Sequence, residues 1–214
     1  GLLRMERSVK EKMSLISPDD KPLPANLINA RPLIASLNEF FRSNQLSTIL
    51  DDTNPLSEID NLRRVSVLGP GGINRERASF SIRDVNSSQY SKIDPVRSPE
   101  GPNIGLVTYL ALYAKVNEYG FIEAPYRKLE KIKRGKKTLV KVTDEIVYVT
   151  ADDEEEFHIT HSGVAKDSRG FITDPRVAFR YRGSFTEGPT ELIDLIDVTP
   201  RQVVGASAAL IPFL

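Results

Sequence analysis

After Asn117 the apolar residues change from helical spacing to near-perfect alternation, and this switch of period constrains the fold more than any other feature of the sequence. Stretches 138–142, 145–150, 157–161, 177–181 and 192–198 alternate as strands do, and Gly135, Gly163, Gly170, Gly183 and Gly188 stand where turns are needed. Before the switch the pattern is helical. Residues 2–16 place Leu2, Met5, Val9 and Met13 on one face, and the turn chemistry of Ser17-Pro18-Asp19-Asp20-Lys21-Pro22 ends that element. Pro32 suits the first turn of a second helix carrying Leu33, Ile34, Leu37, Phe40 and Phe41, whose rhythm continues through Leu46, Ile49 and Leu50. Asn54 should cap a third, with Leu56, Ile59 and Leu62 facing inward.

Two glycine- and proline-rich loops follow. Gly69-Pro70-Gly71-Gly72 breaks regular structure, residues 78–83 then alternate as a strand with Phe80 and Ile82 on one face, and Ser98-Pro99-Glu100-Gly101-Pro102-Asn103 leads into a buried helix over 104–116. The class these elements define is α+β. A helical and loop-rich domain is expected over 1–117, a small antiparallel β domain over 118–199, and the opening of a further core over 200–214. The apolar tail from Val203 to Leu214, and a start on Gly1 with a helix already under way, read as an internal piece of a larger subunit.

Hydrophobic residues make up 40% of the 214 and charged residues 27%, values of a folded globular chain rather than a disordered one. No apolar run reaches the ~20 residues a membrane helix needs, so no membrane partner is expected. With no cysteine, disulfides and thiolate metal sites are excluded, and a cytoplasmic setting is compatible.

Charge balances overall, but its distribution does not. Arg63, Arg64, Arg75, Arg77 and Arg83 face only Glu76 within 61–83, which makes this segment the better candidate for phosphate contact. Residues 127–141 carry eight cations against Glu130, and 144–156 carry seven anions; these two runs are expected to neutralise each other across a hairpin, with 152–156 a solvated loop. His158 and His161, three apart on a strand, point to opposite faces and do not make a metal pair. No converging carboxylates, Ser/His/Asp set or phosphate-binding loop is present, so the chain alone should be catalytically inert. Glycine for close backbone approach, arginine for phosphate and Ser, Thr, Gln and Asn for sugar hydroxyls suit sequence-independent nucleic-acid contact, although the same residues also suit a plain turn beside a solvated helix end.

The wording of these motifs is more specific than their composition. Asn54-Pro55-Leu56-Ser57-Glu58, the run from Arg63 to Gly72, Arg75-Glu76-Arg77-Ala78, Arg83-Asp84-Val85 and the run from Ser98 to Leu106 resemble the rifamycin-pocket region of the bacterial RNA polymerase beta-subunit family. The resemblance continues through Asn117-Glu118-Tyr119-Gly120-Phe121, Pro125-Tyr126-Arg127-Lys128, Gly205-Ala206-Ser207 and Leu210 to Leu214, so it spans the chain and is weakest over 129–195. It implies a part in DNA-templated RNA synthesis, with the fork region in 1–117 and the external 1 domain in 118–199. It implies that Gln45, Leu46, Thr48, Ile49, Asp51, Asn61, Arg64, Ser66, Leu68, Pro99, Glu100, Asn103 and Val107 line a pocket beside nascent RNA, where rifamycins bind. Arg63, Gly69, Gly71, Gly72, Arg75 and Arg77 belong by the same resemblance to a fork loop near the DNA. Asp51 would hold neighbouring arginines.

The resemblance further implies assembly with beta-prime, alpha, omega and sigma subunits on template DNA, with magnesium held by beta-prime and no cofactor in this chain. Departures from the pattern are Thr48 for glutamine, Ile49 for phenylalanine and Asn61 for histidine, which predict weakened rifamycin binding. Asp94, Arg97 and Ser98 replace cysteine, glutamate and threonine, and 129–141 is longer and more basic. Two other readings stay open: a self-sufficient nucleic-acid-binding module, and a structural docking domain.

Overall fold

The computed structural model describes residues 1–17, 19–135 and 137–214. The turn expected at Pro18 and the Lys136 position of the basic run lie outside the described residues. The fold is α+β and divides into two compact units, Gly1–Leu50 with Gly69–Gly71, and Asp51–Leu68 with Gly72–Leu214. No helix among the described residues is long and apolar enough to cross a membrane.

The first unit is helical: α1 (Leu2–Ser14), α2 (Pro24–Leu27) and α3 (Arg31–Ser43). α1 packs on α3 so closely that a Cβ on Gly1 would lie 3.1 Å from Leu33 Cδ1. Leu37, Phe40 and Phe41 of the expected stripe remain exposed. The helical rhythm was expected to run on through Leu46, Ile49 and Leu50, yet α3 stops at Ser43. Asn44 leaves the helix with ψ 136°, and its Oδ1 accepts from the Leu46 N–H at 2.8 Å. A short amide side chain that captures the backbone two residues on offers the chain a turn in place of another helical hydrogen bond.

In the second unit α4 (Pro55–Leu62) starts as expected, with the Asn54 side chain accepting from the Ser57 N–H at 2.9 Å and Pro55 in the first turn. Its inward face differs from expectation. Leu56, Ile59 and Leu62 are exposed, and Asp60 is the buried residue. β1 (Arg64–Ser66) pairs antiparallel with β2 (Val107–Tyr109), where a buried helix was expected over 104–116. Leu106 and Val107 are buried as predicted, but Gly105 adopts φ +71°, and a Cβ there would lie 2.3 Å from the Arg83 carbonyl oxygen. That left-handed break ends any local helix, and the β-branched Val107 and Thr108 pair with a strand some forty residues earlier. Residues 78–83, expected as a strand, contain the short helical turn α5 (Phe80–Arg83), because no neighbour supplies a ladder and Phe80 is exposed.

The expected β domain is present as a seven-stranded sheet that starts just before Asn117. Its strands are β3 (Lys115–Val116), β4 (Ile122–Arg134), β5 (Lys137–Val149), β6 (Ile159–Thr160), β7 (Arg176–Tyr181), β8 (Ser184–Pro189) and β9 (Leu195–Asp197); β4 and β8 were not anticipated, nor was β3, which lies in the stretch expected as a helix. The order is β3-β4-β9-β6-β7-β8, with β5 also on β4. Pairing is antiparallel except between β6 and β9, which run parallel because 161–194 returns the chain to the same end of the sheet. Stretches 138–142 and 145–150 are one strand, divided by an irregularity opposite Lys128 that pushes Asp144 and Glu145 outward. There they meet Arg127 and Lys128, so the expected neutralisation across a hairpin holds at these two pairs, whereas Lys131 pairs with Asp194 and Glu154 with Lys92 and Arg180. Gly188 lies within β8 rather than in a turn.

Two apolar clusters form the core, one around Val140, Ile172, Val177, Phe179 and Ile193, the other around Ala124, Tyr126, Val149, Ile159 and Leu195.

Candidate nucleic-acid interface

The candidate residues fall in both units. In the first, Gln45, Leu46, Thr48 and Ile49 follow α3 on an exposed, non-helical stretch. Gly69 also belongs to this unit and needs to be glycine. It has φ +119°, and a Cβ would stand 2.5 Å from Leu46 Cδ2.

In the second unit the β1–β2 ladder sets the geometry. It places Ser66 opposite Val107 and Arg64 opposite Tyr109, so that Arg64 and Ser66 share one face at the period-two spacing of a strand. The loop after β1 is closed at its base by the Ile73 N–H donating to the Val67 carbonyl at 2.9 Å, and Ser66 Oγ accepts from the Leu68 N–H. Arg75 and Arg77 follow on a 3-10 turn that Asn74 caps by accepting from the Glu76 N–H. Arg64, Ser66, Gly71, Gly72, Arg75 and Arg77 are exposed, as a contact surface requires, and Asn61 and Leu68 are half-buried.

The second loop is held by Arg83. Its guanidinium donates to the carbonyls of Pro102 at 2.7 Å and Ile104 at 2.9 Å, and more distantly to that of Arg75. Pro99, Glu100 and Asn103 are thereby presented from a loop clamped at its far end. The Ser98 hydroxyl accepts from the Gly105 N–H at 3.3 Å, which closes the near end, and Asn103 Oδ1 is buried without a partner.

Two arginines in the basic segment are therefore occupied internally. Arg83 serves carbonyls, and Arg63 donates to the carbonyls of Ala111, Leu112 and Ala114, which leaves Arg64, Arg75 and Arg77 with outward charge. Asp51 was expected to hold an arginine. Instead the Thr53 hydroxyl donates to it at 2.7 Å, with the Thr53 N–H, and these bonds hold its carboxyl below the usual range.

The most heavily buried charges were not anticipated. Arg180 on β7 lies between Asp197 (Nη2 to Oδ1 3.3 Å) and Glu154 (3.2 Å), with its Cζ 3.5 Å from the Tyr90 ring centroid. Tyr90 donates to Asp197 at 3.1 Å, Tyr126 donates to Glu154 at 3.0 Å, and Lys92 pairs with the other oxygen of Glu154. Glu154 belongs to a helical turn, α6 (Ala151–Glu154), and points inward, so the expected solvated loop over 152–156 is corrected at this position. The Thr150 cap turns the chain there, and the buried cations Lys92 and Arg180 draw the carboxylate in. A partial signal existed in the sequence, where Asp197 follows Leu195 and Ile196 inside the expected strand 192–198; the structure buries all three, and a carboxylate in that setting demands a partner.

Burial sets the titration of this cluster. It pushes Asp197 up, only partly offset by Arg180, and pushes the Tyr90 hydroxyl to about 12 with help from Asp197. Tyr126 is raised by the same cause. Burial opposes the Arg180 charge, but Asp197 and the neighbouring tyrosines and Glu154 more than restore it. Because the folded state holds the Tyr90 proton more tightly than its ordinary value of 10.0, the associated stability is complete below pH 10 and is lost as pH rises towards about 12. Thermal midpoints measured from pH 9 to 12 should therefore fall across that window, and Tyr90→Phe should make the fall shallower. An unchanged slope in the variant would remove Tyr90 as a cause.

His158 neighbours the cluster in sequence but plays a different part. Its Nδ1 lies 3.1 Å from Asp194 Oδ2, and its ring stacks on Tyr181 with centroids 4.2 Å apart. Burial works against the Asp194 charge, and hydrogen bonds from Lys131 and His158 outweigh it and lower that carboxyl. Among the described residues no three His, Asp or Glu side chains converge as a metal ion requires.

Fold and interface together define an α+β segment that presents two clamped loops and an arginine-bearing ladder, tied by a buried charge cluster to a small sheet. Comparison with known proteins places the chain in a family. Residues 48–116 match the family model described as RNA polymerase Rpb2, domain 3, and residues 126–199 match the RNA polymerase beta subunit external 1 domain. The chain is 50% identical over all 214 residues to the DNA-directed RNA polymerase subunit beta of Chelativorans sp. (strain BNC1) and, equally, to those of Bartonella bacilliformis and Acetivibrio thermocellus. It belongs to the RNA polymerase beta-subunit family. It spans 15% of the length of the first two relatives and 17% of the third.

Proposed function

We propose that this chain is the portion of an RNA polymerase beta subunit that forms the wall beside nascent RNA and the fork loop near DNA, within an enzyme that performs DNA-templated RNA synthesis. The observation that carries this reading is the β1–β2 ladder. It sets Arg64 and Ser66 on one exposed face, just ahead of the glycine loop in the chain and across from Val107. Arg64 offers donors to phosphate, and Ser66 offers a hydroxyl to sugar or phosphate, neither of which requires a base sequence. Arg75 and Arg77 extend the positive surface along the fork loop, and Arg63 supports that surface from behind through the carbonyls it binds.

In this reading Gln45, Leu46, Thr48 and Ile49 in the first unit, and Asp51, Asn61, Leu68, Pro99, Glu100 and Asn103 in the second, are the further transcript-facing residues and the ones that rifamycins would touch. The catalytic magnesium ions are assigned to beta-prime, and assembly with beta-prime, alpha, omega and sigma brings the wall to the active centre. The wall's part is to position the transcript by charge and shape, with no bond made or broken by its own side chains.

The test is crosslinking. A photoreactive group at position 64 or 103, in the assembled enzyme carrying this segment, should give an adduct with RNA made at the active centre. No adduct from either position would overturn the reading. A gel-shift titration of the isolated chain separates it from a self-sufficient binding module, which would bind nucleic acid alone and release it steeply as salt rises. A docking domain would co-purify with partner subunits and give no RNA adduct.

A further inference from the structure

Buried Asp60 and half-buried Arg97 form a pair that neither the family's transcript-facing positions nor the basic surface includes. Asp60 is 9% exposed on the last turn of α4, next to Asn61 and one turn before Arg64. Arg97 lies next to Ser98 and two residues before Pro99. Its guanidinium is held on several sides: it pairs with Asp60, donates to Ser207 Oγ at 3.0 Å, and lies 3.9 Å from the centroid of the Tyr109 ring. Tyr109 is itself the ladder partner of Arg64.

The backbone leading into Arg97 is fixed as well. Asp94 Oδ1 accepts from the N–H of Val96 at 2.9 Å and, at 3.4 Å, from that of Arg97, and its Oδ2 accepts from the Gly205 N–H at 2.8 Å. The approach at Gly205 is so close that a Cβ there would lie 2.5 Å from the carboxylate. Arg97 is thus a rigid rod between α4, which carries Asn61 and leads into Arg64, and the loop that carries Pro99, Glu100 and Asn103.

We propose that Asp60 and Arg97 are a positioning pair that sets the spacing between the two walls of the transcript path, the α4–β1 wall and the 98–103 loop. This rests on the wall reading above. The pair touches no transcript itself. Its chemistry suits a spacer, because a guanidinium that engages a carboxylate, a hydroxyl and an aromatic face at once has one allowed orientation, which an ammonium could not reproduce. With Asp60 taken out of water and Arg97 half-buried beside it, removing either partner leaves an uncompensated charge and frees the loop to shift.

The experiment uses the assembled polymerase carrying this segment, with Asp60→Asn, Arg97→Gln, the double variant, Arg97→Lys, and Arg64→Ala as the reference for the wall. The readout is the ratio of short released transcripts to full-length RNA, beside assembly yield and the rate of single-nucleotide addition. Each single neutralisation should raise the released fraction by about 3- to 10-fold, the size typical of residues coupled through one contact. The double variant should be no worse than the worse single one, because both changes break the same contact, and single-nucleotide addition should be unchanged.

Arg97→Lys keeps the charge and the assembly yield, and should still raise the released fraction, which separates orientation from mere folding. Additive effects in the double variant would overturn the pair as a unit. So would an unchanged ratio in both single variants while Arg64→Ala raises it, and that outcome leaves the wall reading standing. An unchanged ratio in Arg64→Ala as well would bring down the wall reading and the pair with it.

Discussion

Replacing Arg180 by alanine is expected to lower the free energy of unfolding by about 3–5 kcal/mol, the cost of stripping the partner from a buried ion pair. Asp197 is 4% exposed and would lose both guanidinium bonds, keeping the Tyr90 hydroxyl. Glu154 would keep Lys92 and Tyr126, so most of the penalty falls on Asp197. For a chain of this size that loss corresponds to a drop of roughly 10 °C in the thermal midpoint.

Location decides which ion pairs matter. The Arg176–Glu187 pair has both side chains about three-fifths exposed, and an exposed pair is worth about 0–1 kcal/mol, so Arg176→Ala serves as the matched control. Thermal and denaturant unfolding of both variants checks this directly. A loss below about 1 kcal/mol in Arg180→Ala would mean that water reaches the cluster and that its charges are not desolvated as described. The combination of Arg180→Met with Asp197→Leu should recover much of the loss, because an apolar replacement of a buried pair removes the desolvation cost along with the attraction.

The second large effect concerns drug binding and follows from the proposed pocket. Changing Thr48 to Gln together with Asn61 to His is expected to make the assembled enzyme more sensitive to rifamycin, by roughly 5- to 150-fold in the inhibitory concentration. That range is the equivalent of regaining a buried hydrogen bond worth about 1–3 kcal/mol. Thr48 is exposed on the stretch after α3, and Asn61 is half-buried on α4, so both substitutions can be made without opening a core. Longer side chains at these positions reach farther towards a ligand and should restore a donor or acceptor that the present residues withhold. Dose–response curves for the unchanged and doubly substituted enzymes decide the matter. Equal, tight inhibition of both would refute it.

Local chemistry was the most legible part of the chain. The Asn54 cap and the first and third helices depend on interactions within a few residues, and the strand periods of 138–150, 159–160, 176–181 and 195–197 show in the sequence although ladder partners such as those of 159–160 and 195–197 come from far along the chain. Pairing of opposite charge across the 127–145 hairpin was legible for the same reason, since hairpin partners are close in sequence. Residues 104–116 read as a helix in sequence but are not one, because Val107 to Tyr109 satisfy their backbone through β1, some forty residues away, and no local period records that partner. Residues 78–83 mislead in the opposite sense, since alternation predicts a strand only where a ladder exists to receive it.

What the sequence by itself determined is the α+β class, the starts of α1, α3 and α4 and the motif wording that marks the beta-subunit family, all of which reside in short windows of residue identity. Only the tertiary structure decided which charges are spent internally. Arg63 and Arg83 bind carbonyls, Arg97 binds Asp60, and Arg180 sits between Glu154 and Asp197, whereas Arg64 keeps its charge outward. An arginine looks the same in sequence whether it faces water or a buried carboxylate. The difference is made by desolvation and by partners brought from as far as 51 positions away, quantities that exist only once the chain has folded.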